Sequence, residues 1–115
     1  MTTITDDYMR QMMTLSRDYS ALILRKGPKY GQPGADKIIW EHGRRNFMLL
    51  AEGILPIVCP VRDGTDMAGI GVMTRSVEEV RKIMDEDPAI KAGSWCTRST
   101  PAAASRGVPC RRNKE

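Results

Sequence analysis

The sequence predicts an α+β domain of four strands and two helices, in the order strand, helix, strand, strand, helix, strand. Three observations carry that expectation. Ser76 and Glu79 form an S-x-x-E box ahead of an apolar stripe at Val77, Val80 and Ile83/Met84, the signature of a capped amphipathic helix. An earlier stretch places Ile39, Phe47, Leu50 and Ala51 near one helical face, with Glu41, Arg44, Arg45 and Glu52 on a wetter one. The apolar runs YSALIL, ILPIVCPV and MAGIGVMT lie between turn signals and have the length of strands.

Taken in order, residues 1–18 form an N-terminal arm or short helix, Met-rich in TDDYMRQMMTLS. The first strand covers Tyr19 to Leu24 and stops at Arg25, Lys26 and the Gly27-Pro28 breaker; KYGQPG follows as a loop. Asp36, whose carboxylate can accept from free first-turn amides, caps a helix from about Lys37 to Glu52 that Gly53 ends. ILPIVCPV is the next strand, with Pro56 marking an edge, a bulge or a late start. The turn RDGTDM joins it in a hairpin to MAGIGVMT, where Gly69 and Gly71 permit close backbone approach. After the Ser76 helix, Pro88 disfavours helix at Asp87 and stops it, and a last strand begins near Lys91. This order is the ferredoxin-like βαββαβ arrangement, a four-stranded antiparallel sheet with two helices on one face. The uncovered sheet face is expected to bury itself against a second copy, giving a homodimer.

At 115 residues the chain suits one domain with one modest core. It has no long uncharged apolar run, and MTTITDDYMRQ has no basic stretch leading into an apolar block, so a cytoplasmic protein without membrane partners is expected. Cys59, Cys96 and Cys110 form no CxxC pair, so reduced thiols and no metal are expected. The +4 charge first suggests nucleic acid, but residues 94–115 hold five basic residues and one acid, which accounts for all of it. Residues 1–93 are balanced, and nucleic acid is not the expected partner. GIG lacks the strand-turn-helix setting of a dinucleotide site and no phosphate loop occurs, which removes the usual nucleotide signals; a proton-transfer reaction would need no cofactor, and none is expected. The domain is assigned to residues 19–97, with 98–115 a basic, disordered tail.

The chemistry turns on His42, the chain's single histidine, and on Asp87. Imidazole titrates near neutrality, and a carboxylate beside it can orient the ring and stabilise its charged form. The residues alone leave this open: His42 also suits a solvated helix surface beside Glu41 and Arg45, and Asp87 before Pro88 suits turn chemistry. Arg45, nearly one turn after His42, is a candidate contact for an anionic substrate, and Trp40 with Phe47 could line a pocket. Cys59 within IVCPV reads as inert buried packing.

With His42 inside IIWEHGRRNFMLLAEG, a strand ending in Pro60, then MAGIGVMT and SVEEVRKIMDEDPAIKAG, residues 19 to 93 resemble the YCII-related (YciI-like) family. That resemblance implies a dimeric α+β barrel similar to muconolactone isomerase. Its signature falls on His42, Gly53, Cys59-Pro60 and Asp87-Pro88, with Cys59 replacing the usual glycine. It implies a His42–Asp87 dyad and a cofactor-independent lyase, dehydrochlorinase or isomerase step on a small aromatic or lactone-like metabolite. A non-catalytic small-molecule-binding or accessory dimer is the alternative.

After Gly93 the chain departs from that pattern, since SWCTRSTPAAASRG has no strand period and the family continues with an alternating strand. Back-translated and read one base earlier, with suitable codons, the segment allows LVYEVHPCRGFPG. We hypothesise a frame change near Ser94. Sequencing the coding DNA is expected to show codons compatible with both readings, and any incompatible codon removes the idea.

Overall fold

A computed structural model describes residues 1–105. Thr5 opens α1 (Asp6–Met13) by accepting from the Tyr8 N–H at 3.1 Å, and Asp6 and Asp7 complement the helix dipole in the first turn. No residue of α1 is buried.

β1 (Arg17–Lys26) turns Ser20, Leu22 and Leu24 toward the helices, on alternate positions as a half-buried strand requires. The chain then enters α2 (Ala35–Ala51) through Gly34, whose φ of 84° needs no side chain. Asp36 is therefore not the cap. The Gln32–Ala35 turn, closed by the Ala35 N–H on the Gln32 carbonyl at 3.0 Å, starts the helix early and leaves Asp36 in the first turn.

β2 (Ile57–Pro60) starts directly after Pro56, while Leu55 is fully buried. β3 (Met67–Met73) returns as its hairpin partner. Gly71 and Gly69 lie opposite Leu22 and Leu24 on β1, and a Cβ on Gly71 would stand 3.0 Å from Leu55 Cδ1. These glycines let the core leucines lie close over the sheet.

Ser76 caps α3 (Val77–Asp85) by accepting from the Glu79 N–H at 3.2 Å, and its hydroxyl donates to the Glu79 carboxylate at 3.1 Å. Val80 and Met84 bury the apolar stripe. Asp87 does more than stop this helix: its carboxylate accepts from the Ala89 N–H at 2.9 Å and starts the one-turn α4 (Pro88–Lys91). That turn displaces the last strand to Trp95.

β4 (Trp95–Ala104) pairs with β1 over ten positions, from Trp95 opposite Lys26 to Ala104 opposite Arg17. The irregular tail expected from residue 98 is thus strand as far as Ala104. Pairing runs through the backbone along the free edge of β1, so it needs neither alternation nor a buried β4 side chain, and an edge position tolerates Pro101. The rest of the expected tail lies outside the described residues.

The antiparallel sheet has the order β2-β3-β1-β4, with both main helices on one face over a core of Leu22, Leu24, Leu49, Leu55, Met73, Val80 and Met84. The opposite face carries Ile23, Ile57, Ile70 and Val72, of which Ile57 and Ile70 are exposed. Among the described residues no helix is long and apolar enough to cross a membrane.

One backbone crossing ties the exit of β1 to the entry of β4. The Gly27 N–H donates to the Ser94 carbonyl and the Lys29 N–H to the Gly93 carbonyl, each at 2.9 Å. A Cβ on Gly27 would lie 2.5 Å from the Gly93 oxygen, against backbone that cannot yield. Gly27→Ala is expected to cost about 1–3 kcal/mol, as overpacking does. Gly43→Ala, in α2 with nothing within 4 Å of the new methyl, is expected to gain roughly 0.8–1 kcal/mol. Opposite shifts in urea midpoint test both; equal shifts contradict the crossing.

Candidate active site

Helical spacing places His42, Arg45 and Asn46 along one side of α2, at i, i+3 and i+4. The α3–α4 junction supplies Asp87 from the other side. His42 is 6% exposed and Asp87 0%, so His42 is not the solvated surface histidine that its charged neighbours allowed.

His42 Nδ1 lies 2.8 Å from Asp87 Oδ2. A carboxylate can only accept, so Nδ1 carries the hydrogen. The other ring nitrogen, Nε2, lies 3.0 Å from Asn46 Nδ2. Trp95 packs edge-on against the ring, centroids 4.5 Å apart at an interplanar angle of 78°. Both Asp87 oxygens are used, Oδ1 by the Ala89 amide and Oδ2 by His42.

Burial is the largest single influence on Asp87 and pushes its pKa up. The hydrogen bond from His42, the charge on a protonated His42, the Ala89 N–H and the Arg45 guanidinium together outweigh it. The net effect holds Asp87 below the ordinary carboxylate value, as the ionised partner of the ring.

Beside His42 opens a pocket of about 620 Å³ between α2 and the β2–β3 hairpin, reaching Trp95 on β4. His42 and Asn46 are its hydrogen-bonding side chains from α2; Phe47, Leu50, Ile57 and Val58 are among its apolar walls. Among the described residues no Asp, Glu, Lys or Arg side chain lines it.

The other candidates stand elsewhere. Arg45 is mostly buried behind the dyad, with Nη1 3.7 Å from Asp87 Oδ2 and Nη2 3.8 Å from the Glu86 carboxylate, and it does not line the pocket. Trp40 is 70% exposed and borders, with Phe47, a separate shallow hollow of about 430 Å³. Cys59 is exposed at the pocket rim rather than buried, because its register opposite Ile70 turns it to the uncovered sheet face. Asn46 and Trp95 escaped the sequence reading. Asn46 had one usable signal, an amide four residues after the histidine on a helix; Trp95 had none in a segment without strand period. Among the described residues no three His, Cys, Asp or Glu side chains gather as metal ligands.

No protein-family model matches this chain, and neither does any curated protein. Among solved structures it is similar to the 5-chloro-2-hydroxyhydroquinone dehydrochlorinase (TftG) from Burkholderia phenoliruptrix AC1100, in complex with 2,5-dihydroxybenzoquinone. The identity is 23%, over 76% of this chain and 95% of that one, with a TM-score of 0.44. A likeness at that level bears on neither the reaction nor the ligand of this chain. The resemblance to the YCII-related family rests on the motifs of residues 19 to 93.

The lowered Asp87 pKa has a signed consequence. Its folded value lies below its unfolded one, so the stability it contributes is fully present above the ordinary carboxylate pKa of about 3.9. That stability is lost as the pH falls through the lower folded value. Asp87→Asn is expected to cost about 1.5–3 kcal/mol at neutral pH, the worth of a hydrogen bond to a charged group. The gap from the parent should narrow below about pH 4. Urea melts of both chains across that range check this, and a pH-independent gap contradicts it.

Proposed function

We propose that this protein is a cofactor-independent acid/base enzyme acting on a small, uncharged aromatic or lactone-like molecule. The observation that carries the proposal is the buried His42–Asp87 pair, 2.8 Å apart, at the wall of an apolar pocket. His42 takes a proton from the substrate at Nε2, and Asp87 stabilises the imidazolium through Nδ1–H. The electron pair left on the substrate either expels a leaving group, which is elimination, or moves along the ring system and is reprotonated by the same imidazolium, which is isomerisation.

Pocket size and wall chemistry support the substrate class. A volume of about 620 Å³ suits a small-molecule site. With no cation lining the pocket among the described residues, a carboxylate or phosphate would lose hydration there without a partner, which disfavours anions. Arg45 is spent on Asp87 and Glu86, so we assign it no substrate contact.

The homodimer belongs to the same proposal. Ile23, Ile57, Ile70 and Val72 form an apolar band on the sheet face that no helix of the described residues covers. A second copy laid on that band would give the α+β barrel that the resemblance implies. A cytoplasmic location is part of the same proposal.

His42→Ala, assayed against a panel of neutral halogenated hydroxy-aromatics and lactones, is expected to lose at least about 100-fold in kcat/KM, the usual worth of a general base. Its far-UV circular dichroism should match the parent. Activity retained within tenfold removes the dyad from the mechanism; ligand binding without turnover in the parent chain favours the accessory, non-catalytic reading.

A further inference from the structure

We infer that Asn46 is a positioning residue of the dyad, whose side-chain amide holds the neutral ring by its NH₂ end and turns over to hold the protonated ring by its carbonyl. The inference deepens the acid/base reading and depends on it only for the catalytic consequence.

Nδ1 of His42 is committed to Asp87, an ionised and fully buried acceptor, so that nitrogen keeps its hydrogen in both states of the ring. Any proton the site gains or gives must therefore pass through Nε2. The group facing Nε2 is Asn46, with Nδ2 at 3.0 Å. Arg45 reaches the neighbourhood only through Asp87, and Trp95 stands nearly perpendicular to the ring and carries no ionisable group.

An amide suits this place because its two ends are nearly alike in shape and opposite in hydrogen bonding. The NH₂ end donates into the Nε2 lone pair of the neutral ring. Once Nε2 is protonated that contact sets N–H against N–H, and half a turn about the Cβ–Cγ bond brings the carbonyl oxygen to accept from Nε2–H. Little resists the turn: Asn46 is half-buried, lines the open pocket, and among the described residues makes no other side-chain hydrogen bond. Aspartate would serve only the protonated ring, and an aliphatic residue neither state.

The device works on both halves of a proton transfer. Before reaction the Asn46 amide covers the base, and a ligand whose own acceptor draws the NH₂ group aside uncovers it. One proton then leaves the ligand for Nε2. The ring becomes cationic against Asp87, and the turned carbonyl holds the proton beside the pocket until it returns to the ligand or passes to water.

Because His42 is the chain's single histidine, ¹⁵N imidazole NMR of the untagged protein reads this one ring. At a pH chosen so that the parent ring is neutral, the parent is expected to show a protonated Nδ1 and an Nε2 lone pair that accepts a hydrogen bond. Asn46→Asp should protonate both nitrogens at the same pH. Asn46→Leu should keep the Nδ1 proton and move Nε2 to the position of a lone pair without a donor. If Asn46→Asp fails to fold, Asn46→Leu alone decides, with circular dichroism as its control. An Nε2 signal unchanged from the parent in the folded variants, or a parent ring protonated on Nε2 and not Nδ1, overturns the assignment. The stated spectral changes without turnover by the parent would leave Asn46 in its role and remove the enzymatic reading.

Discussion

The buried carboxylate of Asp87 is the interaction on which the rest of the site depends. An ionised carboxylate taken out of water is costly unless each oxygen is hydrogen-bonded. Here one oxygen starts α4 through the Ala89 amide, and the other fixes His42 on α2. The same group thus sets where α3 ends, how the chain turns toward β4, and which way the imidazole faces. Removing it would leave a helix start without its cap and a buried ring nitrogen without its acceptor, so stability and chemistry are coupled at one atom pair.

Backbone approach supplies the second constraint. Gly69 and Gly71 have no side chains where Leu24, Leu22 and Leu55 pack over the sheet, and Gly27 crosses Gly93 and Ser94 directly. The hairpin sits low beneath α2, and the space between them becomes the pocket. Since Trp95 follows the Gly27 crossing by one residue beyond Ser94, its contact with His42 is set by the same backbone hydrogen bonds. Packing of the core and placement of the ring are therefore not independent.

The order of elements was legible because each carries a local signal: the capping box at Ser76, the apolar runs, the Gly27-Pro28 and Asp87-Pro88 breaks. What escaped depended on partners distant in sequence. A last strand was expected from near Lys91, but its start at Trp95 and its run to Ala104 follow from a β1 edge ten residues long, which no property of WCTRSTPAAA announces. Asp36 has cap chemistry, yet the turn through Gly34 decided where the helix starts. At the site, residue type pointed to His42 and Asp87, whose meeting needs the fold. Arg45 shows the reverse: its spacing from His42 was read correctly, but the nearby carboxylates occupy it away from the pocket.

Arg45 also explains how a carboxylate can be buried beside a cation and still serve the ring. At 3.7 Å its Nη1 is outside hydrogen-bonding distance of Asp87, and that nitrogen is buried without an acceptor among the described residues. A full bidentate pair would neutralise Asp87 and compete for the oxygen that His42 uses. Glu86, largely exposed, draws the other guanidinium nitrogen outward at 3.8 Å. The guanidinium thus helps keep Asp87 ionised through its charge, while the short contact is left to the imidazole. That division, a distant cation for ionisation and a close ring for hydrogen bonding, lets one buried carboxylate stay charged and still fix the orientation of the imidazole.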